Sequence, residues 1–128
     1  MPAHFEIHVA DPVRARTFYS GLFGWSFEPM PGAEEIAYHL ISGPGLDAGL
    51  TGGMMQRMGE APASGTPVRG CTLTFEVADC DDRYAWALAN GGAEALRPTD
   101  YPGIGRAAYV EDGEGNIVGF LAPEKGEP

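Results

Sequence analysis

The sequence predicts an α+β fold in which one βαβββ unit occurs twice within a single domain. Three observations support this prediction: a repeated strand motif, a helix-capping pattern after each copy of it, and a series of short segments separated by glycine and proline. A length of 128 residues suits one such domain with one core, and it is too short for two independent domains.

The repeated motif is a segment of alternating apolar and polar residues that ends in Val-Ala-Asp. It occurs at residues 5–11 (FEIHVAD) and again at residues 73–79 (LTFEVAD), and Val9 and Val77 give an offset of 68 residues (77 − 9). Alternation with a period of two is typical of a half-buried β-strand. We therefore expect each motif to form the first strand of one half.

A helix is predicted after each motif. In the first half, Asp11 is a suitable N-cap, and Gly21 and Gly24 mark the end of the helix. In the second half, Asp79 or Asp81 is a suitable cap. Each half therefore begins with a strand followed by a capped helix.

Three more strands are expected in each half. They lie at 23–27, 36–42 and 50–55 in the first half and at 91–95, 105–110 and 116–122 in the second. The segment 59–67 (GEAPASGTP) is typical of a linker, so module one covers about 1–58 and module two about 68–123, before a short tail. Neither half can close a core alone, so the two should pair, and paired open sheets curve around a concavity that suits a ligand.

The composition excludes several classes of partner. The formal net charge is −10, from 8 basic and 18 acidic residues, and lysine and arginine form no run. Nucleic-acid binding requires clustered positive charge, and an acidic surface favours cationic or neutral ligands. No segment approaches the roughly 18 apolar residues of a membrane span, and no signal peptide is visible. With two cysteines, Cys71 and Cys80, interpreted as free thiols, we expect a cytoplasmic protein.

Four stretches of the chain resemble a known superfamily. They are residues 4–25 (HFEIHVADPVRARTFYSGLFGW), 52–54 (GGM), 75–94 (FEVADCDDRYAWALANGGAE) and 105–123 (GRAAYVEDGEGNIVGFLAP). Together they resemble the vicinal oxygen chelate superfamily, also called the glyoxalase/bleomycin resistance/dioxygenase superfamily, and especially small bacterial proteins related to lactoylglutathione lyase. The resemblance implies mixed sheets that curl into a cup, a small-molecule ligand in that cup, and a homodimer.

The resemblance also implies where a divalent metal would bind. Metal-dependent members use four strand positions, which fall here on His4, Thr51, Thr72 and Gly119. Only His4 is a good ligand, and Gly119 stands where the superfamily has a carboxylate. A hard metal ion needs several oxygen ligands, and a facial triad needs two histidines and a carboxylate. We therefore expect no metal cofactor, unless Glu6 and Glu76 rebuild a site around His4.

Acid–base chemistry is the second use that these residues could have. His4, Glu6 and His8 alternate along one strand and share one face. The catalytic candidates are Glu6, Glu76 and His4, because a carboxylate facing a cup can act as a general base when burial raises its pKa. The alternative for both glutamates is a solvated carboxylate or a salt-bridge partner. His8 is interpreted as a surface histidine.

Further residues are candidates for the wall of the ligand site. They are Tyr38, Thr51, Met54, Thr72, Tyr101 and Arg106. Tyr38 and His39 point to opposite faces of one predicted strand, and the sequence does not say which of them faces the cup. Met54 could fill the core instead, and Arg106 could be an ordinary surface arginine or meet an anionic group. Tyr101 lies in a glycine-rich segment (YPGIG) that could act as a lid.

Three functions fit these expectations. The first is binding of a small organic molecule in the cup without metal, either to sequester it or to act on it through Glu6, Glu76 and His4. The second is a metal-dependent lyase, isomerase or dioxygenase with a rearranged site. The third is a dimeric drug-sequestering protein similar to bleomycin resistance proteins, for which cationic antibiotics would suit the acidic surface.

Overall fold

The structure is a computed structural model, and it describes residues 3–47, 49–66 and 72–124. The chain divides into two compact units, residues 1–62 and 63–128, and the predicted linker spans this division. Cys71 lies outside the described residues, so its interpretation as a free thiol stays a prediction. Among the described helices, none has the length and apolar character that crossing a membrane requires.

The first unit has the predicted βαβββ order. Its elements are β1 (Ala3–Val9), α1 (Pro12–Phe23), β2 (Ser26–Pro29), β3 (His39–Ser42) and β4 (Leu50–Gln56), with a short 3₁₀ helix at Glu34–Ile36. The sheet has the strand order β1-β4-β3-β2. The outer strand β1 runs parallel to β4, and the other two pairs are antiparallel.

The second unit repeats this topology. Its elements are β5 (Leu73–Glu76), α2 (Cys80–Ala89), β6 (Ala93–Tyr101), β7 (Gly105–Glu111) and β8 (Ile117–Pro123). The strand order is β5-β8-β7-β6, with β5 parallel to β8. The prediction of an α+β fold with two βαβββ modules is therefore confirmed.

Capping aspartates start both helices. The Oδ1 atoms of Asp11 and Asp79 each accept a hydrogen bond from the amide three residues further on, at 3.1 and 3.0 Å. Asp79, not Asp81, is therefore the cap of α2. Helix α1 ends at Gly24, whose φ of 75° is left-handed, whereas Gly21 lies inside the helix.

An aromatic cluster holds α1 against one face of the first sheet. The rings of Tyr19 and Trp25 stack at 5.5 Å between centroids, and Phe5 lies 6.0 Å from Trp25. Gly52 lies opposite Phe5, and a Cβ on Gly52 would come within 2.5 Å of the Phe5 ring. The face of β1 and β4 that carries Phe5 and Gly52 is thus the core face. The residues that alternate with these along each strand point to the opposite face.

The core of the second unit lies between α2 and its sheet. Its fully buried side chains include Phe120, Val110 and Ala87. Strand β6 is longer than the predicted strand at 91–95, and its pairing with β7 shifts between Glu94 and Thr99. Pro98 lies inside the irregular stretch, where it has no N–H to donate, and the edge position of β6 tolerates it.

The predicted strand at 36–42 is shorter in the structure. Residues 34–36 form the 3₁₀ helix, and Ala37 follows with a left-handed φ of 51°. The strand therefore begins only at His39, so Tyr38 precedes it. Because Tyr38 precedes the strand, the loop and not the strand pleat determines the direction of its side chain.

Candidate functional site

One face of the first sheet carries a row of polar side chains. His4 lies opposite Thr51, and Glu6 lies opposite Gly53, across the parallel pair β1 and β4. Since Phe5 and Gly52 point toward α1, these neighbours point away from it. His4, Glu6 and Thr51 are exposed. The alternation predicted from the sequence therefore places His4 and Glu6 together on an accessible surface.

Hydrogen bonds join these side chains into a chain across the sheet. His4 Nδ1 lies 2.7 Å from Thr51 Oγ1, and His4 Nε2 lies 2.8 Å from Tyr38 Oη. The Tyr38 hydroxyl donates to Glu6 Oε2 at 2.9 Å. His8 Nε2 lies 3.5 Å from Glu6 Oε1, at the outer limit of a hydrogen bond. We call His4, Glu6, Tyr38 and Thr51 the polar cluster.

The loop before β3 fixes the position of Tyr38. The Tyr38 carbonyl accepts a hydrogen bond from the Met30 amide at 2.9 Å, and the Tyr38 amide donates to the Ala33 carbonyl at 3.3 Å. The left-handed Ala37 turns the chain immediately before it. His39 instead lies opposite Met54 and bonds the Ala37 carbonyl through Nδ1 at 2.9 Å. Of the two candidates, Tyr38 is therefore the one that joins the polar face.

Gly53 makes room for the Tyr38 ring. A Cβ on Gly53 would overlap the Tyr38 hydroxyl and ring, so any side chain there would displace the tyrosine. The structure shows two close approaches on opposite faces, by Phe5 to Gly52 and by Tyr38 to Gly53.

The hydrogen bond from Tyr38 also sets the ionisation of the cluster. It holds the pKa of Glu6 below its ordinary value, burial opposes this effect, and contact with His8 adds to the lowering. Burial, together with the bond to Glu6, raises the pKa of Tyr38 to about 12. At neutral pH Glu6 is therefore a carboxylate, and Tyr38 keeps its proton.

Removal of the Tyr38 hydroxyl should be visible in the titration of Glu6. In Tyr38→Phe we expect the pKa of Glu6 to rise toward its ordinary value, because the strongest interaction that favours the charged form is lost. Carbon-detected NMR titration of the Glu6 carboxyl in both proteins measures this shift. An unchanged or lower pKa in the variant would contradict the hydrogen bond.

The second unit contains a similar arrangement without a charge. The Tyr109 ring covers Gly119, where a Cβ would come within 2.5 Å of it, and the Thr74 hydroxyl donates to Tyr109 Oη at 3.3 Å. Thr74 lies opposite Gly119, as Glu6 lies opposite Gly53. Tyr109 was not predicted, and its only sequence signal is its place on the strand next to Gly119.

The strand pairing shows which residues of the last strands correspond in the two units. Strand β1 pairs with β4 at a separation of 47 residues (51 − 4), whereas β5 pairs with β8 at 45 residues (119 − 74). With the first strands offset by 68, Gly119 therefore corresponds to Gly53 and not to Thr51. The last strands are offset by 66 residues (119 − 53).

Met54 does not belong to the polar face. It lies opposite Ile7 on the core face and is 0% exposed, which corrects its prediction as a ligand-binding residue. The alternative of core filling is the one that the structure supports. The reason is strand parity, since Met54 is two residues from Gly52 and therefore shares its face.

Four further candidates lie in the second unit: Thr72, Glu76, Tyr101 and Arg106. Thr72 is half-buried just before β5, and Glu76 is exposed on β5 opposite Leu121. Tyr101 is the last residue of β6, and its carbonyl accepts from the Ile104 amide at 2.9 Å. The segment that could act as a lid forms a short turn between two paired strands, and its role as a lid stays a prediction.

Arg106 is held by two carboxylates. Its Nε donates to Asp81 Oδ2 at 2.8 Å, and its Nη1 lies 3.0 Å from Asp100 Oδ1. The bond to Asp81, followed by the bond to Asp100, raises the pKa of Arg106 above its ordinary value. These ion pairs link the start of α2 to β6 and β7. In the structure Arg106 is thus held by intramolecular ion pairs, and a contact with an anionic ligand stays a prediction.

The polar cluster does not have the donors of a metal site. Both ring nitrogens of His4 are already hydrogen-bonded, and Glu6 accepts from Tyr38. Within residues 3–47, 49–66 and 72–124, no three histidine, cysteine, aspartate or glutamate side chains are grouped closely enough to hold a metal ion. A carboxylate at position 119 would overlap Tyr109. The residues present therefore do not fit the divalent metal that the resemblance implies.

An open depression lies on the other side of the first sheet, between α1 and β2. Its lining comprises Val13, Arg16, Thr17, Ser20 and Phe27. Arg16, Thr17 and Ser20 each donate a hydrogen bond to a backbone carbonyl of the same unit, at 2.9 to 3.3 Å. This depression offers few groups for a ligand, and the polar cluster offers more.

Comparison with known proteins finds similarity to bleomycin resistance and glyoxalase proteins. Residues 3–38 match the family model described as the N-terminal part of bleomycin resistance protein-like proteins. A Mycobacterium tuberculosis protein named as a candidate glyoxylase, CFP32, is 30% identical over 118 residues, which are 92% of this chain and 42% of the relative. The chain therefore spans less than half the length of this relative.

Two solved structures show the same fold. The antibiotic-binding protein TnmS3 from Streptomyces sp. CB03234 superposes with a TM-score of 0.69 and 21% identity, over 97% of this chain and 96% of that one. A glyoxalase/bleomycin resistance protein from Albidiferax ferrireducens T118 gives a TM-score of 0.67 and 24% identity, over 95% and 98%. At these identities, the likeness shows the fold.

Proposed function

Since the chain belongs to the vicinal oxygen chelate superfamily, we propose that it binds a small organic molecule at the polar cluster of the first sheet without a metal ion. The observation that carries this proposal is the hydrogen-bonded chain of His4, Glu6, Tyr38 and Thr51 on an exposed face. Such convergent polar groups orient ligands in binding sites. The match to bleomycin resistance proteins and the likeness to an antibiotic-binding protein support a binding role.

The ionisation of Glu6 favours binding over acid–base catalysis. A general base is most effective when its pKa lies near the working pH. For a carboxylate, burial usually brings this about by raising its pKa. The bond from Tyr38 acts in the opposite direction and lowers the pKa of Glu6. Glu6 is thus better suited as a fixed negative charge than as a proton acceptor.

An enzyme related to glyoxalases is the second candidate. The mycobacterial relative supports this candidate because it is named as a glyoxylase. His4 also supports it, because its imidazole is part of a hydrogen-bonded chain. In this candidate His4 would transfer protons with Glu6, which is joined to it through Tyr38. Turnover of a bound compound, lost in His4→Ala and unaffected by a chelator, would favour this enzyme over a sequestering protein.

The proposed site can be tested with one pair of matched variants. A fragment library is screened by ¹H–¹⁵N NMR, and the affinity of the strongest hit is measured for the wild type, Glu6→Gln and Glu60→Gln. Both changes remove one carboxylate, but Glu60 is exposed and lies after β4, outside the polar cluster. We expect about a 10- to 150-fold loss of affinity in Glu6→Gln, because hydrogen bonds to a charged group contribute about 1.5–3 kcal/mol. Equal affinities in all three proteins would show that the ligand binds elsewhere.

A homodimer in the cytoplasm is part of the same proposal. Each sheet has two edge strands, β1 and β2 in the first and β5 and β6 in the second, and exposed edges favour pairing with another chain. Multi-angle light scattering of the purified protein tests the dimer. A mass of one chain at all concentrations would contradict it.

A further inference from the structure

The hydrogen atoms of the polar cluster can be assigned in order, starting from Glu6. A carboxylate only accepts, so the Tyr38 hydroxyl uses its single proton in the bond to Glu6 Oε2. The Tyr38 oxygen can then only accept from His4 Nε2, which lies 2.8 Å away. His4 therefore carries its proton on Nε2.

The same reasoning extends to Thr51. In a neutral imidazole with a proton on Nε2, Nδ1 is an acceptor, so the Thr51 hydroxyl donates to it across 2.7 Å. Every polar hydrogen of the cluster is therefore used within it, in the direction Thr51 to His4 to Tyr38 to Glu6. Lone pairs of Thr51 Oγ1 and of the Glu6 carboxylate remain for a ligand.

We propose, on the basis of the function proposed above, that the ligand presents an N–H-rich cation to this cluster: an amidinium, a guanidinium or a primary ammonium group. Such groups have only donors, and the cluster with neutral His4 offers only acceptors and one negative charge. A carboxylate or phosphonate would meet lone pairs and the charge of Glu6. The excess of 18 acidic over 8 basic residues adds a field of the same sign.

An apolar surface lies beside the charge. Leu40 lies opposite Gly53 on the polar face, and it is 45% exposed. The ring of Tyr38 covers Gly53 between Leu40 and the strand that carries Glu6. An aromatic or aliphatic body attached to the cation would therefore contact Leu40 and Tyr38 while its N–H groups reach Glu6.

Three compounds of equal size and different charge test this inference. Benzamidinium, benzamide and benzoate are titrated separately into ¹⁵N-labelled full-length protein at about pH 8, where histidine is ordinarily neutral. We expect benzamidinium to shift the amides of His4, Glu6 and Thr51 with at least about tenfold higher affinity than benzamide, and benzoate to leave them unchanged. In Glu6→Gln the advantage of benzamidinium over benzamide should disappear, whereas Glu60→Gln should retain it.

The outcomes separate this inference from the proposed function. If benzamide or benzoate binds at these amides as tightly as benzamidinium, the site stands and the preference for a cation is wrong. If benzamidinium does not shift these amides, the inference is wrong whatever other fragments do. If all fragment hits map away from His4, Glu6 and Thr51, the proposed function fails together with the inference.

Discussion

Replacement of Phe120 by alanine is expected to lower the free energy of unfolding by about 3–5 kcal/mol. Phe120 is 0% exposed, lies opposite Phe75 on β5, and shares the core of the second unit with Val110. Removal of the ring loses its buried apolar surface and leaves a cavity between α2 and the sheet, which the surrounding backbone can close only in part. Urea unfolding of both proteins, followed by circular dichroism, measures the difference.

Ile104→Ala is the matched control for this change. Ile104 is also a large apolar residue of the second unit, but it lies in the turn between β6 and β7 and is 61% exposed. We expect its loss to change the stability by less than about 0.5 kcal/mol. Similar losses in Phe120→Ala and Ile104→Ala would contradict the packing of the second unit.

The second large effect is expected from Gly53→Val, which should reduce ligand affinity about 10- to 30-fold. The valine side chain would occupy the space of the Tyr38 ring, so Tyr38 would leave both His4 and Glu6. Without Tyr38, His4 and Glu6 no longer hold their positions, and misplacing two hydrogen bonds to the ligand at about 1 kcal/mol each corresponds to this factor. Titration of the strongest fragment hit, with the Tyr38 ring followed by NMR, measures both effects.

Gly59→Ala is the control for Gly53→Val. A Cβ on Gly59 would meet no atom within 4 Å, so the exchange should leave Tyr38 and the affinity unchanged. If Gly53→Val retains full affinity while its Tyr38 signals show that the ring has moved, Tyr38 has no part in binding. If the ring does not move, the close approach of Tyr38 to Gly53 is wrong.

Local patterns were sufficient to predict the fold. Alternation at residues 5–11 and 73–79, together with the capping aspartates, predicted the first strand and the helix of each unit, and all of these are present. These signals depend on residues that are close in sequence, so they can be read without knowing the tertiary structure. The same alternation placed His4 and Glu6 on one face.

The position of the Tyr38 side chain could not be predicted from local patterns. It depends on the left-handed conformation of Ala37, which alanine rarely adopts and which no neighbouring residue signals. For Met54 the sequence could not choose between the wall of the ligand site and the core, because the face depends on how β4 pairs with β1. Such pairing is a tertiary property, and the two units differ in it by two residues.

Arg106 shows the same limit for charged side chains. A single arginine after a glycine-rich segment is compatible with anion binding, and its true partners are distant in sequence. Asp81 is 25 residues away and lies at the start of α2, and Asp100 lies on the neighbouring strand. Only the packing of the helix on the sheet brings Asp81 to Arg106, so composition could not reveal the ion pair.

The central claim is that an organic molecule binds at His4, Glu6, Tyr38 and Thr51 without a metal ion. The most direct test is a ¹H–¹⁵N titration of the strongest fragment hit in the presence and absence of excess EDTA. We expect the amides of His4, Glu6 and Thr51 to shift, with the same affinity in both titrations. Shifts confined to other residues, or binding that EDTA abolishes and Zn²⁺ or Mn²⁺ restores, would contradict it.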